Sequence, residues 1–197
     1  MALLNDLFGI QTRAGCSCAG PYGHRLLGID LDTSREFERE IVRGCEGIKP
    51  GWVRVNFNYF ISEAVFEFIL RGVELVASHG WRLLPDYDFV PSQGLWKHRK
   101  GHPEPLLGLR DVSYRSGKLE YRSRHVREPA WVLEGYLEEA KRILERDVAT
   151  LADLQIEDAS RSADFEALRW FPLPGEVLAE LRGEGSTSRN PLALHPH

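Results

Sequence analysis

The clearest structural pattern in the chain lies in residues 52–80, which read WVRVNFNYFISEAVFEFILRGVELVASHG. Apolar and polar residues alternate over residues 52–59, and this period of two predicts a β-strand with two different faces. One face carries Val53, Val55, Phe57 and Tyr59, and the other carries Trp52, Arg54, Asn56 and Asn58. Ser62 then caps a predicted helix, which ends near residues 79–80 where a glycine follows His79.

The patterns on either side of residues 52–80 predict further short helices and strands, and together they predict an α+β fold. We expect a helix at residues 2–9, a strand at 10–15, a glycine-rich loop at 16–23 and a solvated helix at 32–43. Alternation around a glycine predicts a β-hairpin within residues 111–121, and a second apolar helix follows Pro129. Residues 171–175 resemble a linker, and we expect residues 183–197 to be disordered.

The composition excludes several classes of protein. Of the 197 residues, 25 are Lys or Arg and 29 are Asp or Glu, and the resulting net charge of −4 argues against a nucleic-acid partner bound through a basic field. No apolar run approaches the roughly 20 residues that cross a bilayer, so we expect no membrane partner. Three cysteines are too few for a disulfide scaffold and indicate a reducing, cytoplasmic setting.

Arg54 is the first candidate for a functional residue. It lies in the middle of the predicted strand, on the face that carries Asn56 and Asn58. This face is either simply solvent-exposed or a carboxylate site, since a guanidinium matches a carboxylate with two parallel hydrogen bonds. Arg13 precedes the glycine-rich loop and would face the same cleft from a neighbouring strand. The carboxylate hypothesis therefore requires both arginines to lie on one face.

The cysteines allow three interpretations. Cys16 and Cys18 are ordinary loop residues, or one of them is a nucleophilic thiolate favoured by the nearby Arg13. Alternatively, Cys16, Cys18, Cys45 and His24 supply four metal ligands, although their spacing matches no common zinc pattern. His24 by itself is expected to be a hydrogen-bonded structural histidine with a weaker claim to acid–base chemistry.

Residues 9–21, GIQTRAGCSCAGP, resemble the nucleophile loop of class V aminotransferase-fold enzymes, which include cysteine desulfurases and selenocysteine lyases. The family pattern is Arg-x-Gly, two further residues, and then Cys-Ala-x-Pro. On this resemblance Cys18 takes the place of the catalytic, sulfur-accepting cysteine. Arg54 takes the place of the arginine that binds the substrate α-carboxylate, with Arg13 assisting. The helix that begins at Ser62 resembles the small-domain helix that follows, so the resemblance covers about residues 1–80.

The resemblance implies a fold, a cofactor and a substrate class. Residues 1–80 would be the C-terminal small domain of a fold-type-I transferase that depends on pyridoxal phosphate (PLP). Residues 81–156 would be an added β-hairpin and helix extension, and residues 157–197 a linker and tail. The substrate would be an amino acid. Cys18 would accept sulfur in a desulfurase or assist selenium departure in a selenocysteine lyase, and would be a loop residue in an aminotransferase or epimerase relative.

The lysines depart from the family pattern. Lys49, Lys97, Lys100, Lys118 and Lys141 all follow the cysteine loop, whereas the family's Schiff-base lysine precedes it. We therefore expect the chain to be the C-terminal part of such an enzyme and inactive alone. The partner would be a missing large PLP domain, a separate PLP-bearing chain or a second copy in a homodimer. The alternative is a non-enzymatic metal-binding or partner-docking module that uses Cys16, Cys18, Cys45 and His24.

Overall fold

The computed structural model describes residues 1–15, 20–101, 109–121, 128–156, 158 and 162–184. The α-helices in these ranges are α1 (Ala2–Phe8), α2 (Gly20–Leu27), α3 (Leu31–Val42), α4 (Glu63–His79), α5 (Val132–Leu144), α6 (Ala163–Leu168) and α7 (Pro174–Leu181). The strands are β1 (Arg13–Gly15), β2 (Trp52–Arg54), β3 (Tyr87–Val90), β4 (Leu95–His98), β5 (Val112–Ser113) and β6 (Glu120–Tyr121). The fold is therefore α+β, as predicted. None of the helices in the described ranges combines the length and apolarity that a membrane crossing requires.

Among the described residues, each strand pairs with a strand that is its neighbour in chain order. Three separate antiparallel pairs form among the described residues: β1 with β2, β3 with β4, and β5 with β6. The β5–β6 pair confirms the predicted hairpin, with Val112 opposite Tyr121 and Gly117 in the left-handed region at φ 79° in the connecting turn. The β3–β4 hairpin has no counterpart among the elements predicted from the sequence.

The first hydrophobic core packs α1 against α4 and α5. Leu4 and Phe8 of α1 pack with Phe68 of α4, and Leu137 and Ala140 of α5 complete the cluster. The Phe8 and Phe68 rings meet edge to face with centroids 6.0 Å apart. The predicted segments 1–80 and 81–156 therefore share one hydrophobic core in the described residues.

A second core contains aromatic side chains from distant parts of the sequence. Ile48 and Phe165 are almost fully buried, and they pack with Phe37 of α3. Phe89 of β3 and Phe171 lie against this cluster, with their ring centroids 5.2 Å apart. Apolar burial of this kind is the largest favourable contribution to folding. The segment that follows residue 161 thus contributes to the core.

The linker predicted at residues 171–175 is partly helical, because α7 begins at Pro174, while residues 171–173 lie between α6 and α7. Ser162 caps α6 by accepting a hydrogen bond from the Phe165 amide at 3.0 Å. Pro174 opens α7, where a missing N–H costs nothing because the first amides of a helix have no helical partner. Val177 on α7 is 1% exposed. Of the tail expected at residues 183–197, residues 185–197 lie outside the described residues.

A buried guanidinium ties α6 to α7. Arg169 is 5% exposed and donates hydrogen bonds to Glu166 at 2.7 Å and to Glu176 at 2.6 and 2.8 Å. It also donates to the Phe171 carbonyl oxygen at 2.6 Å. Because two carboxylates and a carbonyl surround it, the buried charge is well compensated.

Two corrections concern the site region. The strand predicted at residues 52–59 spans Trp52–Arg54. Three of the apolar side chains assigned to one face of the predicted strand are exposed, namely Val53 (45%), Phe57 (46%) and Tyr59 (99%). The loop predicted at residues 16–23 ends by residue 20, because Gly20–Leu27 forms a helix. Residues 16–19 lie outside the described residues.

Candidate functional site

The two candidate arginines lie directly opposite each other. In the antiparallel β1–β2 pair, Arg13 is the register partner of Arg54, Ala14 of Val53, and Gly15 of Trp52. Residues that face each other across such a pair share one side of the sheet, so Arg13 and Arg54 lie on the same side, and both are exposed. This is the juxtaposition that the carboxylate hypothesis requires. Carboxylate binding itself remains a prediction.

This register places two positively charged residues opposite each other. Like charges placed directly opposite each other on neighbouring strands destabilise the pair. A carboxylate between two guanidinium groups offsets that repulsion and accepts charge-assisted hydrogen bonds from both. Two strands of three residues each hold the Arg13 and Arg54 backbones in this relation.

Trp52 extends this side of the sheet towards helix α2. Residues two apart in a strand share a face, so Trp52 lies on the same side as Arg54. The Tyr22 ring meets the Trp52 ring edge to face, with centroids 6.4 Å apart. A Cβ placed on Gly23 would lie 3.4 Å from the Trp52 ring, so the backbone of α2 packs closely on the indole. The sequence alternation paired Trp52 with Arg54, but nothing in it indicated that α2 would pack there.

His24 on α2 is engaged at both ring nitrogens. Nδ1 lies 2.7 Å from the Gly20 carbonyl oxygen, and Nε2 lies 2.8 Å from Ser34 Oγ on α3. A carbonyl oxygen only accepts, so Nδ1 donates the hydrogen bond to Gly20, and Nε2 shares the second hydrogen bond with the Ser34 hydroxyl. This arrangement supports the interpretation of His24 as a structural histidine that joins α2 to α3.

An open cleft of about 250 Å³ lies between α2, α3 and Trp52. Its apolar lining consists of Leu27, Ile29, Phe37, Ile41, Pro50 and Trp52. The polar groups that line it are His24 and Ser34, which are bonded to each other, together with Glu38 and Lys49. An apolar cleft with few polar groups is typical of small-molecule sites, although this one is smaller than most.

The cysteine predictions fall largely outside the described residues. Cys16 and Cys18 belong to residues 16–19, so the proposed nucleophile and two of the four proposed metal ligands lie there. Cys45 is a half-buried thiol at the edge of the second core. Within the described ranges, no three His, Cys, Asp or Glu side chains form a group that could hold a metal ion.

Each of the five lysines is exposed. A Schiff-base lysine must become a neutral amine in a desolvated setting. Lys49 is the lysine nearest in sequence to β2. It forms an ion pair with Glu46, with Nζ 2.9 Å from the carboxylate. The other four lysines lie on or beside β4, on the β5–β6 hairpin and on α5. None of the lysines therefore offers the desolvated amine that a Schiff base with PLP requires.

Two ionisable groups away from the sheet are perturbed by burial. The Tyr87 hydroxyl donates a 2.7 Å hydrogen bond to Asp6, and burial together with this carboxylate raises the Tyr87 pKa far above its ordinary value. Burial also raises the pKa of Asp158, whose carboxylate accepts a 3.0 Å hydrogen bond from the Gly175 amide at the start of α7. Both groups support the fold, and neither adjoins the arginine pair in sequence.

No family model matches the chain, and no curated protein or solved structure is significantly similar to it.

Proposed function

We propose that the chain contributes the substrate-carboxylate site of a cytoplasmic PLP-dependent enzyme of the class V aminotransferase type. In this proposal residues 1–80 belong to the small domain of a fold-type-I transferase, with residues 81–156 as its extension. The observation that carries the proposal is the register of β1 and β2, in which Arg13 and Arg54 face each other on one side of the sheet.

The proposed roles follow from the chemistry of each group. Arg54 and Arg13 bind the α-carboxylate of an amino acid, because two guanidinium groups offer donors that match its two oxygens. Cys18, which follows Gly15 by three residues in sequence, is the proposed nucleophile of a desulfurase or lyase. PLP would supply the electron sink for bond cleavage at the amino acid. Its lysine would come from a large PLP domain or another polypeptide.

Carboxylate binding is tested by NMR titration of the purified chain. We expect L-alanine to shift the side-chain Nε–H resonances of Arg13 and Arg54, and L-alaninamide, which lacks the carboxylate, to leave them in place. Replacing Arg54 by glutamine should weaken alanine binding about tenfold, since a hydrogen bond to a charged group is lost. Arg115→Gln is the matched control, because Arg115 is exposed on the β5–β6 hairpin. Equal shifts with alanine and alaninamide would reject the carboxylate site.

Inactivity of the chain alone is tested with added PLP. We expect no sulfide from L-cysteine and no pyruvate from L-alanine. Borohydride reduction followed by mass spectrometry should find no single lysine carrying a stoichiometric pyridoxyl group. A stoichiometric adduct at one lysine would contradict the assignment of the cofactor lysine to another polypeptide.

Elemental analysis distinguishes the metal-binding alternative from the proposed enzyme. A stoichiometric metal in the purified chain that is lost when Cys16 and Cys18 are replaced by serine would favour the non-enzymatic module. Metal content unaffected by these replacements would count against a site built on those cysteines.

A further inference from the structure

We infer that the cleft beside Trp52 receives the side chain of the amino acid whose carboxylate the arginine pair binds, and that it selects an aliphatic side chain of about leucine size. The inference rests on the proposed function, because it takes Arg13 and Arg54 as the carboxylate site. It adds the substrate class, which the resemblance leaves open between cysteine-type and other amino acids.

The position of Trp52 connects the cleft to the arginines. Trp52 lines the cleft, and it lies two residues from Arg54 on the same side of β2. Two residues of a strand span roughly 6.6 Å, which is comparable to the distance from the carboxylate of an amino acid to the end of its side chain. A bound amino acid can therefore reach the arginines and the cleft together.

The lining of the cleft favours an apolar group. Ile29, Ile41 and Trp52 line a volume of about 250 Å³, below the roughly 300 Å³ at which sites for drug-sized ligands begin. Such a space suits a single side chain. The His24 and Ser34 side chains also line it, but they already satisfy each other through their 2.8 Å hydrogen bond.

The charges of the lining disfavour the ionic alternatives. Glu38 lines the cleft, so an acidic side chain bound there would be repelled by its carboxylate. The Lys49 ammonium also lines the cleft, but it is already paired with Glu46 at 2.9 Å. A basic side chain would bury its charge among apolar groups at high cost. The thiol of cysteine would leave most of the cleft unfilled. The cleft therefore points to an aliphatic amino acid rather than to cysteine or to an amino acid with an ionic side chain.

The test compares amino acids by NMR with the full chain, following the Nε–H resonances of Arg13 and Arg54 and the indole N–H of Trp52. We expect L-leucine to bind about tenfold more tightly than L-alanine, because three further carbons are partly buried. L-Aspartate should bind no more tightly than alanine. Leucine should shift the resonances of the arginines and of Trp52 together.

Filling the cleft provides the matched variants. Ile41→Phe places a larger group in the cleft, and Val42→Phe makes a similar change at the next position, which is 81% exposed. We expect the leucine preference to be lost in the first variant and kept in the second. If Ile41→Phe fails to fold, Leu27→Phe in the cleft and Leu26→Phe outside it form a second pair.

The outcomes separate the two proposals. Equal affinity for leucine and alanine, with shifts at both arginines, would overturn the side-chain pocket and leave the carboxylate site standing. Leucine binding that shifts Trp52 but neither arginine would overturn the joint site. An absence of arginine shifts with every amino acid would overturn the proposed function itself.

Discussion

Replacing Gly47 by alanine should destabilise the protein, because the position has no room for a Cβ. An added Cβ would lie 2.4 Å from the tip of the Phe89 ring and 3.2 Å from the Pro91 carbonyl oxygen. The ring cannot withdraw easily, since its centroid is 4.8 Å from that of Trp96 and 5.2 Å from that of Phe171. Overpacking of this kind costs about 2 kcal/mol, since forced insertions into packed regions cost roughly 1–3 kcal/mol.

Gly135→Ala is the matched control, with the opposite expected sign. Gly135 lies inside α5, and a Cβ there would meet nothing within 4 Å. Alanine is the better helix former by roughly 0.5–1 kcal/mol, so this variant should be stabilised. For a chain of this length each kcal/mol moves the melting temperature by about 2–4 °C. We therefore expect a fall of about 4–8 °C for Gly47→Ala and a rise of about 1–4 °C for Gly135→Ala.

Thermal unfolding followed by circular dichroism measures both variants, with urea unfolding as an independent estimate of the free energy. A melting temperature of Gly47→Ala equal to that of the wild type would refute the packing argument. It would mean that the Phe89 ring moves freely, and the close aromatic contacts of the second core would then have little energetic weight. Destabilisation by both substitutions would refute the helix argument for Gly135.

Three further substitutions test the polar contacts of the fold. Arg169→Met should lower the free energy of unfolding by about 3 kcal/mol in urea titrations, since it leaves two carboxylates without their shared cation; a loss below about 1 kcal/mol would contradict this role. Tyr87→Phe should cost about 1–2 kcal/mol, because the carboxylate of Asp6 loses its donor, and unchanged stability would show that water replaces the hydroxyl. The pKa of Asp158 is raised in the folded state, so wild-type stability falls as the pH rises from the unfolded pKa through the folded one. Asp158→Asn keeps an acceptor for the Gly175 amide and should therefore gain stability relative to the wild type over that pH range; parallel stability–pH curves would exclude the assignment.

Local signals predicted the elements that depend on local chemistry. Ser62 caps α4 by accepting from the Val65 amide at 3.4 Å, and Gly9 ends α1 with a left-handed φ of 64°. The helix predicted at residues 32–43 is α3, and Phe37 is buried on it. Capping and spacing act within a few residues, so they are visible in the sequence alone.

The strand at residues 52–59 shows what alternation leaves undetermined. A period of two assigns side chains to faces, but hydrogen bonding needs a partner strand. The partner β1 begins at Arg13, because the preceding Ile10 is 9% exposed and belongs to the first core. The pairing therefore ends at Arg54, and Phe57 and Tyr59 beyond it are left exposed.

The helices of residues 162–184 were missed because glycine and proline near them resembled loop signals. Pro174 stands at the first position of α7, where proline is favoured, and Ser162 is a capping residue for α6. Both signals were present in the sequence. For the site, the sequence indicated Arg13 and Arg54 as a pair, but the packing of α2 on Trp52 depends on tertiary contacts that no local pattern encodes.

Arg182, at the end of α7, has a consequence for the motions of this region. Its guanidinium donates to the carbonyl oxygens of Leu151, Ala152 and Leu154, which lie 31, 30 and 28 residues before it. One side chain thus closes a loop of about thirty residues without a covalent bond. The amide protons of α6 and α7 should consequently exchange with solvent as a single cooperative unit. Their exchange rate should be set by the breaking of the Arg182 hydrogen bonds.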